Sequence, residues 1–255
     1  MQSFNAFYCI VSPPELAQVR SYPVVPCLYA YQVQAGARLH RSCGPTPVRG
    51  GLLAVTLSPG AEEGAWEPFC RQCVLECRSR GASGMLADWS RFSRSAFRFT
   101  RALGQQLERS GLSLLVPEAY AGVTAKAGVL ISSALSGGSL EVRLTEALER
   151  YGAERVVLAL ERMSDDFTLP APAGRGRRLT VQQLSLLRQR RPGIYWSGDL
   201  CARYFTYRDR DGVHFVLFDD ETALRKKLEL ARRLGVQRSA AAWAEISDCA
   251  GALLQ

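Results

Sequence analysis

Residues Ser83–Ser90 read SGMLADWS, a short apolar run that ends in an acid, a tryptophan and a serine. The segment Gly84–Trp89 predicts a buried strand, because it is brief and apolar and is bounded by small and polar residues. It lies between two segments whose apolar residues have helical spacing, Trp66–Arg78 and Phe92–Arg109. A further apolar run, Leu52–Leu57, precedes the first of these helices. Strand and helix therefore alternate, which indicates a parallel sheet.

The alternation continues toward the carboxyl terminus. More strands are expected at Leu112–Val116, Val129–Ser133, Arg155–Leu160, Val213–Phe218 and Ala240–Ala244, and more helices at Leu140–Tyr151, Val181–Gln189 and Glu221–Leu234. The number of units and the length of 255 residues favour an α/β fold of the closed (β/α)8 TIM barrel type over an open doubly wound sheet. No glycine-rich dinucleotide motif and no Walker phosphate loop is present in the sequence.

The first fifty residues follow this pattern less regularly. Phe4–Val11 and Val24–Val33 are expected as strands, Pro14–Arg20 as a short helix and Arg38–Arg49 as irregular chain. We interpret this region as two abbreviated barrel units, followed by regular units over residues 51–247. No linker or repeat divides the chain, so one domain is expected over residues 1–255.

The charge of the chain comes almost entirely from arginine, and the net charge is +8. Six arginines fall close together in the sequence: Arg78, Arg80, Arg91, Arg94, Arg98 and Arg101. They form either a face that binds polyanions or a solvated helix face, and the second interpretation is favoured. Because no zinc-finger or RNA-recognition signature is present in the sequence, no nucleic-acid partner is expected.

No apolar run approaches the ~20 residues that a membrane-spanning helix needs, and no signal peptide precedes the first strand. We therefore expect a cytoplasmic protein without a membrane partner, in which the cysteines are reduced. Cys70, Cys73 and Cys77 share one helix face. They either meet a metal or pack as small apolar groups, and packing is favoured because no fourth cysteine is near and His40 and His214 are distant in sequence. Neither a metal nor a cofactor is expected.

Two stretches carry a resemblance to a known family. In Ser83–Ser90, the residues Gly84, Asp88 and Trp89 are in register with the motif D-G-x-D-x-D-x-E. Residues 213–243 contain an apolar run, an acidic turn, a helix, a glycine-led turn and a final tryptophan, at Asp219-Asp220, Lys227, Ala231, Gly235 and Trp243. In both respects the chain resembles glycoside hydrolase family 18, the chitinase-like barrels, especially the spore-cortex glucosaminidases of bacteria. The resemblance covers about residues 50 to 247.

The resemblance implies a substrate-assisted hydrolysis of N-acetylglucosamine glycans, in which a glutamate protonates the leaving oxygen and an aspartate orients the acetamido group. This chain departs from the pattern at the acid, where Ser90 stands in place of the glutamate. The family's M-x-Y-D motif is also missing at the sixth strand, which ends LISSA over residues 130–134. Asp88 and Trp243 are the positions that carry over.

Carboxylates stand at four expected strand ends, where the active site of a barrel lies. The candidates for catalysis are Asp88, Glu118, Glu161 and Glu245. Such groups either divide acid and base roles between them or bind amides and arginines in ordinary loops. Candidates for substrate binding lie at or just beyond the same ends: Trp89, Ser90, Tyr120, Asp165, Asp166 and Trp243. The segment Ser164–Pro170 is expected to be part of a long loop near the cleft.

Two hypotheses follow. The first is a family 18-like barrel that has lost its catalytic acid and binds an N-acetylglucosamine-containing glycan, a peptidoglycan fragment or a protein partner. The alternative is an active glycosidase that uses the substitute carboxylates Glu118, Glu161 and Glu245. The resemblance also makes an association with spores an expectation beside the cytoplasmic one.

Overall fold

The computed structural model describes residues 4–44, 46–58, 61, 66–89, 91–171, 176–190 and 193–254. Its strands are β1 (Ala6–Val11), β2 (Val25–Gln34), β3 (Arg38–Arg41), β4 (Leu52–Leu57), β5 (Gly84–Asp88), β6 (Ser113–Pro117), β7 (Gly128–Ser132), β8 (Val156–Ala159), β9 (Ser164–Leu169), β10 (Arg177–Arg178), β11 (Tyr195–Ser197), β12 (Ala202–Asp209), β13 (Gly212–Phe218) and β14 (Arg238–Ala242). Its helices are α1 (Trp66–Arg80), α2 (Arg94–Arg109), α3 (Leu140–Tyr151), α4 (Val181–Gln189), α5 (Glu221–Arg233), α6 (Trp243–Ile246) and α7 (Ala250–Leu253). None of these helices is long and apolar enough to cross a membrane.

Eight parallel strands close into a barrel, in the order β1, β14, β8, β7, β6, β5, β4, β2. The ring closes because β1 pairs with β14 on one side and with β2 on the other. Helices separate most of the strands along the chain. The expected TIM barrel is therefore confirmed.

Alternation along the strands divides their side chains between two apolar cores. One core fills the inside of the barrel and consists of Cys27, Leu52, Ala54, Leu86, Leu115, Val157 and Ala240. The larger core lies between the barrel and its helices, and includes Met85 and Ala87 of β5 together with Phe99 of α2. Since Asp88 follows Leu86 by two positions, it shares the inward face of β5 and lies at the carboxyl end of the barrel, which we call the mouth.

A second, antiparallel sheet is inserted between β8 and α5, with the strand order β10, β9, β13, β12, β11. The prediction of Val213–Phe218 as a barrel strand is wrong, because this segment is the middle strand β13 of the inserted sheet. The prediction of Ser164–Pro170 as a loop is also wrong, since Ser164–Leu169 forms β9. The run VHFVLF has apolar clusters on both faces, around Leu217 and around Val216. A barrel strand is also buried on both faces, so the apolar run alone does not distinguish a barrel strand from the middle strand of the inserted sheet.

Among the described residues no α-helix separates β1, β2 and β4, so the first two barrel units are abbreviated, as expected, although β2 itself spans ten residues. Two 3-10 turns, Pro13–Glu15 and Gln18–Ser21, replace the expected helix. The Glu15 carboxylate accepts hydrogen bonds from the Ser12 backbone and hydroxyl, both at 2.7 Å, and so holds the first turn. The segment expected to be irregular begins with β3, which pairs antiparallel with the end of β2.

The three clustered cysteines lie on the buried face of α1 and pack between the helix and the barrel. Burial raises the pKa of Cys70 to about 11 and that of Cys77 to about 12, and raises the pKa of Cys73 well above its usual value. Thiols in this environment keep their protons, whereas metals bind thiolates. In the described part of the chain, no three His, Cys, Asp or Glu side chains are grouped as metal ligands would be.

Candidate functional site

Asp88 lies at the mouth and accepts a hydrogen bond of 2.5 Å from the phenol of Tyr29, which comes from β2. Tyr29 packs against the inner core of the barrel, and both residues are half-buried. Burial, together with the hydrogen bond to Asp88 and its charge, raises the pKa of Tyr29 well above its ordinary value. The phenol therefore stays protonated and donates to Asp88, which fixes one of the two carboxylate oxygens.

Ser90, which the resemblance aligns with the glutamate of family 18, lies outside the described residues, so its expected role stays a prediction. The preceding Trp89 turns away from the mouth into the outer core and is 5% exposed. Its indole N–H donates to the Thr100 hydroxyl at 2.7 Å. The structure thus gives Trp89 the contacts of a packing residue that secures the end of β5 against α2.

Tyr120 fixes the loop that connects β5 to α2. Its hydroxyl donates to the carbonyl of Arg91 at 2.7 Å and accepts from the Ser93 backbone N–H at 3.4 Å. The buried ring lies 5.5 Å from Phe92 and 6.3 Å from Phe97, centre to centre. Tyr120 is therefore a buried residue that supports the loop, while Phe92, which packs against its ring, is 56% exposed.

A second polar group at the mouth is Glu161, two residues after the end of β8. Its carboxylate accepts a 2.8 Å hydrogen bond from the Ser132 hydroxyl at the end of the neighbouring β7. Partial desolvation raises the pKa of Glu161, and nearby Glu245 adds to the effect, although the Ser132 hydrogen bond opposes it. The side chain still reaches solvent. Glu161 is thus an accessible carboxyl group that keeps its proton to a higher pH than usual.

Glu245 and Asp165 connect this sector to the inserted sheet. Glu245 accepts from the Arg162 backbone N–H at 3.0 Å, and the Arg178 guanidinium lies 3.5 Å from it. The same guanidinium lies 3.6 Å from Asp165. Arg178 of β10 therefore pairs with two of the predicted site residues at once. Through these contacts, Asp165 and Glu245 stabilise the rim of the barrel mouth.

Beneath Glu161, a buried ion pair holds the segment that follows β8. The Lys227 ammonium lies 2.6 Å from Asp219 Oδ2, which also accepts from the Met163 backbone N–H at 2.8 Å. The Asp219 backbone N–H donates to the Met163 carbonyl at 2.9 Å, so residue 163 is bound on both sides. Burial raises the pKa of Asp219 even though Lys227 opposes the shift. The acidic turn and the lysine of the family resemblance therefore meet in space.

Three other predicted residues have partners elsewhere. Glu118 forms an ion pair with Arg143 of α3, with 3.0 Å between Oε1 and Nη1. Asp166 is buried in the inserted sheet, where its Oδ1 lies 2.9 Å from Nδ1 of His214. Trp243 is 5% exposed and donates to the Gln18 side chain at 2.8 Å.

The structure thus brings Asp88, Glu161, Glu245 and Asp165 to the mouth or its rim, but joins Asp88 to Tyr29 and Glu161 to Ser132 in separate sectors. Sequence reasoning missed Tyr29 and Phe92. The available signal for Tyr29 was its position two residues after the inward Cys27 on β2. For Phe92, the signal was an aromatic residue in the connection that follows a strand-end acid.

No protein-family model matches the sequence, and a search of curated proteins finds no match. Solved structures are similar across almost the whole chain. A chitinase from Chromobacterium violaceum has a TM-score of 0.69 at 15% identity, with 94% of each chain covered. The spore cortex-lytic enzyme SleL of Bacillus megaterium has a TM-score of 0.63 at 15% identity, covering 92% of this chain and 70% of that one. A family 18 N-acetylglucosaminidase from Paenibacillus barengoltzii has a TM-score of 0.59 at 14% identity, with 94% of each chain covered. The chain therefore has the fold of the chitinase-like barrels of glycoside hydrolase family 18.

Proposed function

We propose that this protein binds a glycan containing N-acetylglucosamine at the mouth of its barrel, without the standard hydrolysis of family 18. The observation that carries the proposal is the contact between Asp88 and Tyr29. It holds a carboxylate at the end of the fourth barrel strand, where the family resemblance expects the group that orients an acetamido side chain. The free oxygen of Asp88 accepts the acetamido N–H of the sugar.

The expected loss of hydrolysis follows from the serine at position 90. A serine hydroxyl is a far weaker acid than a carboxylic acid, so it does not protonate a leaving oxygen at neutral pH. The chain thus retains an orienting group but lacks the proton donor. The similar fold of a chitinase and of a spore cortex-lytic enzyme supports chitin-like and peptidoglycan-like sugars as probes.

Calorimetric titration with chitohexaose tests this proposal, together with a turnover assay on the same sugar. Wild-type protein should bind without releasing shorter sugars, and Asp88→Asn and Tyr29→Phe should weaken binding by about tenfold, as expected for the loss of one hydrogen bond to a charged group. Asp199→Asn, at an exposed site away from β5, is the matched control and should bind as wild type does. Absence of binding, or equal binding by all variants, would rule the proposal out.

A second candidate function is hydrolysis with Glu161 as the acid, which the raised pKa of this accessible group favours. Enzymes raise the pKa of a general acid in this way so that it is protonated near neutral pH. Turnover of chitohexaose or cortex peptidoglycan that Glu161→Gln abolishes would establish this function. Glu118→Gln is the control, because Glu118 is paired with Arg143 and should not affect turnover.

A further inference from the structure

An aromatic side chain stands exposed in the loop between β5 and α2, four residues after Asp88 in the sequence. Phe92 is 56% exposed, yet its position is fixed from below by Tyr120 and Phe97, whose ring centres lie 5.5 Å and 6.1 Å away. Exposing a large ring costs free energy unless a partner covers it. A fixed and exposed aromatic face is suited to stacking on the apolar face of a sugar ring.

Arginines surround this ring and continue along the neighbouring helix. Arg91 flanks Phe92, and Arg94, Arg98 and Arg101 follow at i, i+4 and i+7 on the outer face of α2. All four are exposed, and none forms an ion pair within the part of the chain that the structure describes. Arg98 packs over the ring of Trp66, with its guanidinium carbon 5.6 Å from the ring centre. Elsewhere on the surface, by contrast, many arginines are paired with carboxylates, as Arg143 is with Glu118 and Arg233 with Glu141.

We propose that Phe92 and these arginines form an anion-selective lip of the mouth, so that the preferred ligand is a polysaccharide in which N-acetylglucosamine alternates with negatively charged sugars. This inference rests on the proposed glycan binding at Asp88 and adds the charge of the ligand. Asp88 would receive the N-acetylated unit, Phe92 would stack on a neighbouring ring, and Arg91 and Arg94 would bind its carboxylates. Guanidinium groups suit this role because they bind carboxylates through two parallel hydrogen bonds.

A glycan fits this surface better than a nucleic acid does. The carboxylate of Asp88 next to the lip repels a continuous phosphate backbone but accepts the N–H of an acetamido group. One exposed ring also provides a single stacking position, whereas single-stranded nucleic acids are bound by successive aromatic residues.

The test compares hexasaccharides of equal length, neutral chitohexaose and a hyaluronan oligosaccharide in which N-acetylglucosamine alternates with glucuronate. The wild-type protein should bind the hyaluronan oligosaccharide more tightly at low salt, and added salt should remove the difference. The double variant Arg91→Gln/Arg94→Gln should lose about tenfold in affinity for hyaluronan, with chitohexaose unaffected. The matched control is Arg208→Gln/Arg210→Gln, which removes the same charge from exposed positions of the inserted sheet. It should change neither affinity.

The remaining outcomes distinguish failure of the anionic lip from failure of glycan binding. If chitohexaose binds in a manner that depends on Asp88 but hyaluronan has no advantage, the anionic lip is refuted and glycan binding stands. If neither sugar binds, both proposals fail. Equal loss of hyaluronan affinity in both double variants would show nonspecific charge, and tighter binding of a single-stranded DNA oligonucleotide that depends on Arg91 and Arg94 would assign the lip to nucleic acid. The variant Phe92→Ala should weaken the binding of both sugars, because stacking does not depend on the charge of the ring that it holds.

Discussion

Lys227 and Asp219 form an ion pair in the interior, with 2.6 Å between Nζ and Oδ2, and their side chains are 1% and 0% exposed. The pair lies beneath the segment that leads from Glu161 into the inserted sheet, and it binds the backbone of Met163. It is therefore the anchor between the barrel mouth and the second sheet.

Removing the lysine should destabilise the protein strongly. Lys227→Met leaves Asp219 buried without its counterion, and the expected loss in the free energy of unfolding is about 3–5 kcal/mol. Equilibrium denaturation in urea measures it. Lys226→Met is the control, because Lys226 pairs with Glu229 on the surface and should cost less than about 1 kcal/mol. Similar losses in the two variants would contradict a structural role for the buried pair.

The stability of the protein should depend on pH through His214. Burial alone would lower the pKa of this side chain, but hydrogen bonds and charges from Asp166 and Asp209 outweigh it, so the pKa is raised above 6.5. The protonated imidazole therefore stabilises the folded state below pH 6.5, and this contribution is lost as the pH rises through the raised pKa.

Thermal melts across this pH range should show that fall in stability for wild-type protein. His214→Asn should remove it, whereas His40→Asn, at an exposed site on β3, should keep it. A wild-type profile identical to that of His214→Asn would show that the imidazole does not gain its proton more readily on folding.

Glu161 should titrate at a higher pH than an ordinary glutamate, because it is partly desolvated and lies near Glu245. Its protonated form favours the folded state, so this contribution is present at low pH and declines as the pH rises through the raised pKa. Side-chain carboxyl NMR gives the pKa directly, and the spectrum of Glu161→Gln assigns the signal. Ser132→Ala removes a hydrogen bond that stabilises the ionised form, so it should raise the pKa further.

The hydroxyl of Tyr120 should matter for ligand binding more than for stability. Tyr120→Phe keeps the ring but frees the Arg91 carbonyl, so the loop that carries Phe92 gains mobility. We expect a loss in the free energy of unfolding of about 1 kcal/mol and a weaker affinity for chitohexaose. Tyr195→Phe, whose ring is 58% exposed, serves as the control and should change neither quantity. Unaltered sugar affinity in Tyr120→Phe would separate the loop from the binding site.

Local patterns predicted the barrel because short apolar runs separated by amphipathic segments specify strands and helices at short range. Val213–Phe218 is a segment that such patterns cannot assign to a sheet, since its apolar residues are equally compatible with a barrel strand and with a strand of the inserted sheet. What decides between them is pairing with Ser164–Leu169, about fifty residues away in sequence, and no local period encodes that partner.

The candidate site was predictable to a similar depth. Strand ends gave Asp88 and Glu161, because side chains at the carboxyl ends of barrel strands lie at the mouth. An error of one residue in the end of a strand changes whether a side chain points into the barrel or out toward the helices. Trp89 and Trp243 were therefore included in the prediction, although both are buried in the outer core. Tyr29 was missed because its proposed role depends on its hydrogen bond to Asp88, a contact between distant parts of the sequence.

The pairing of β1 with β14 has a consequence for biosynthesis. It joins strands whose flanking residues Asn5 and Gln237 are 232 positions apart, so the ring stays open until β14 has left the ribosome. Until then β1 and β8 present bare edges, which are templates for pairing with other chains. The inserted sheet, synthesised between β8 and β14, prolongs this interval. The nascent protein is thus most exposed to aggregation just before its last strand emerges, which makes this the stage at which a chaperone would protect it.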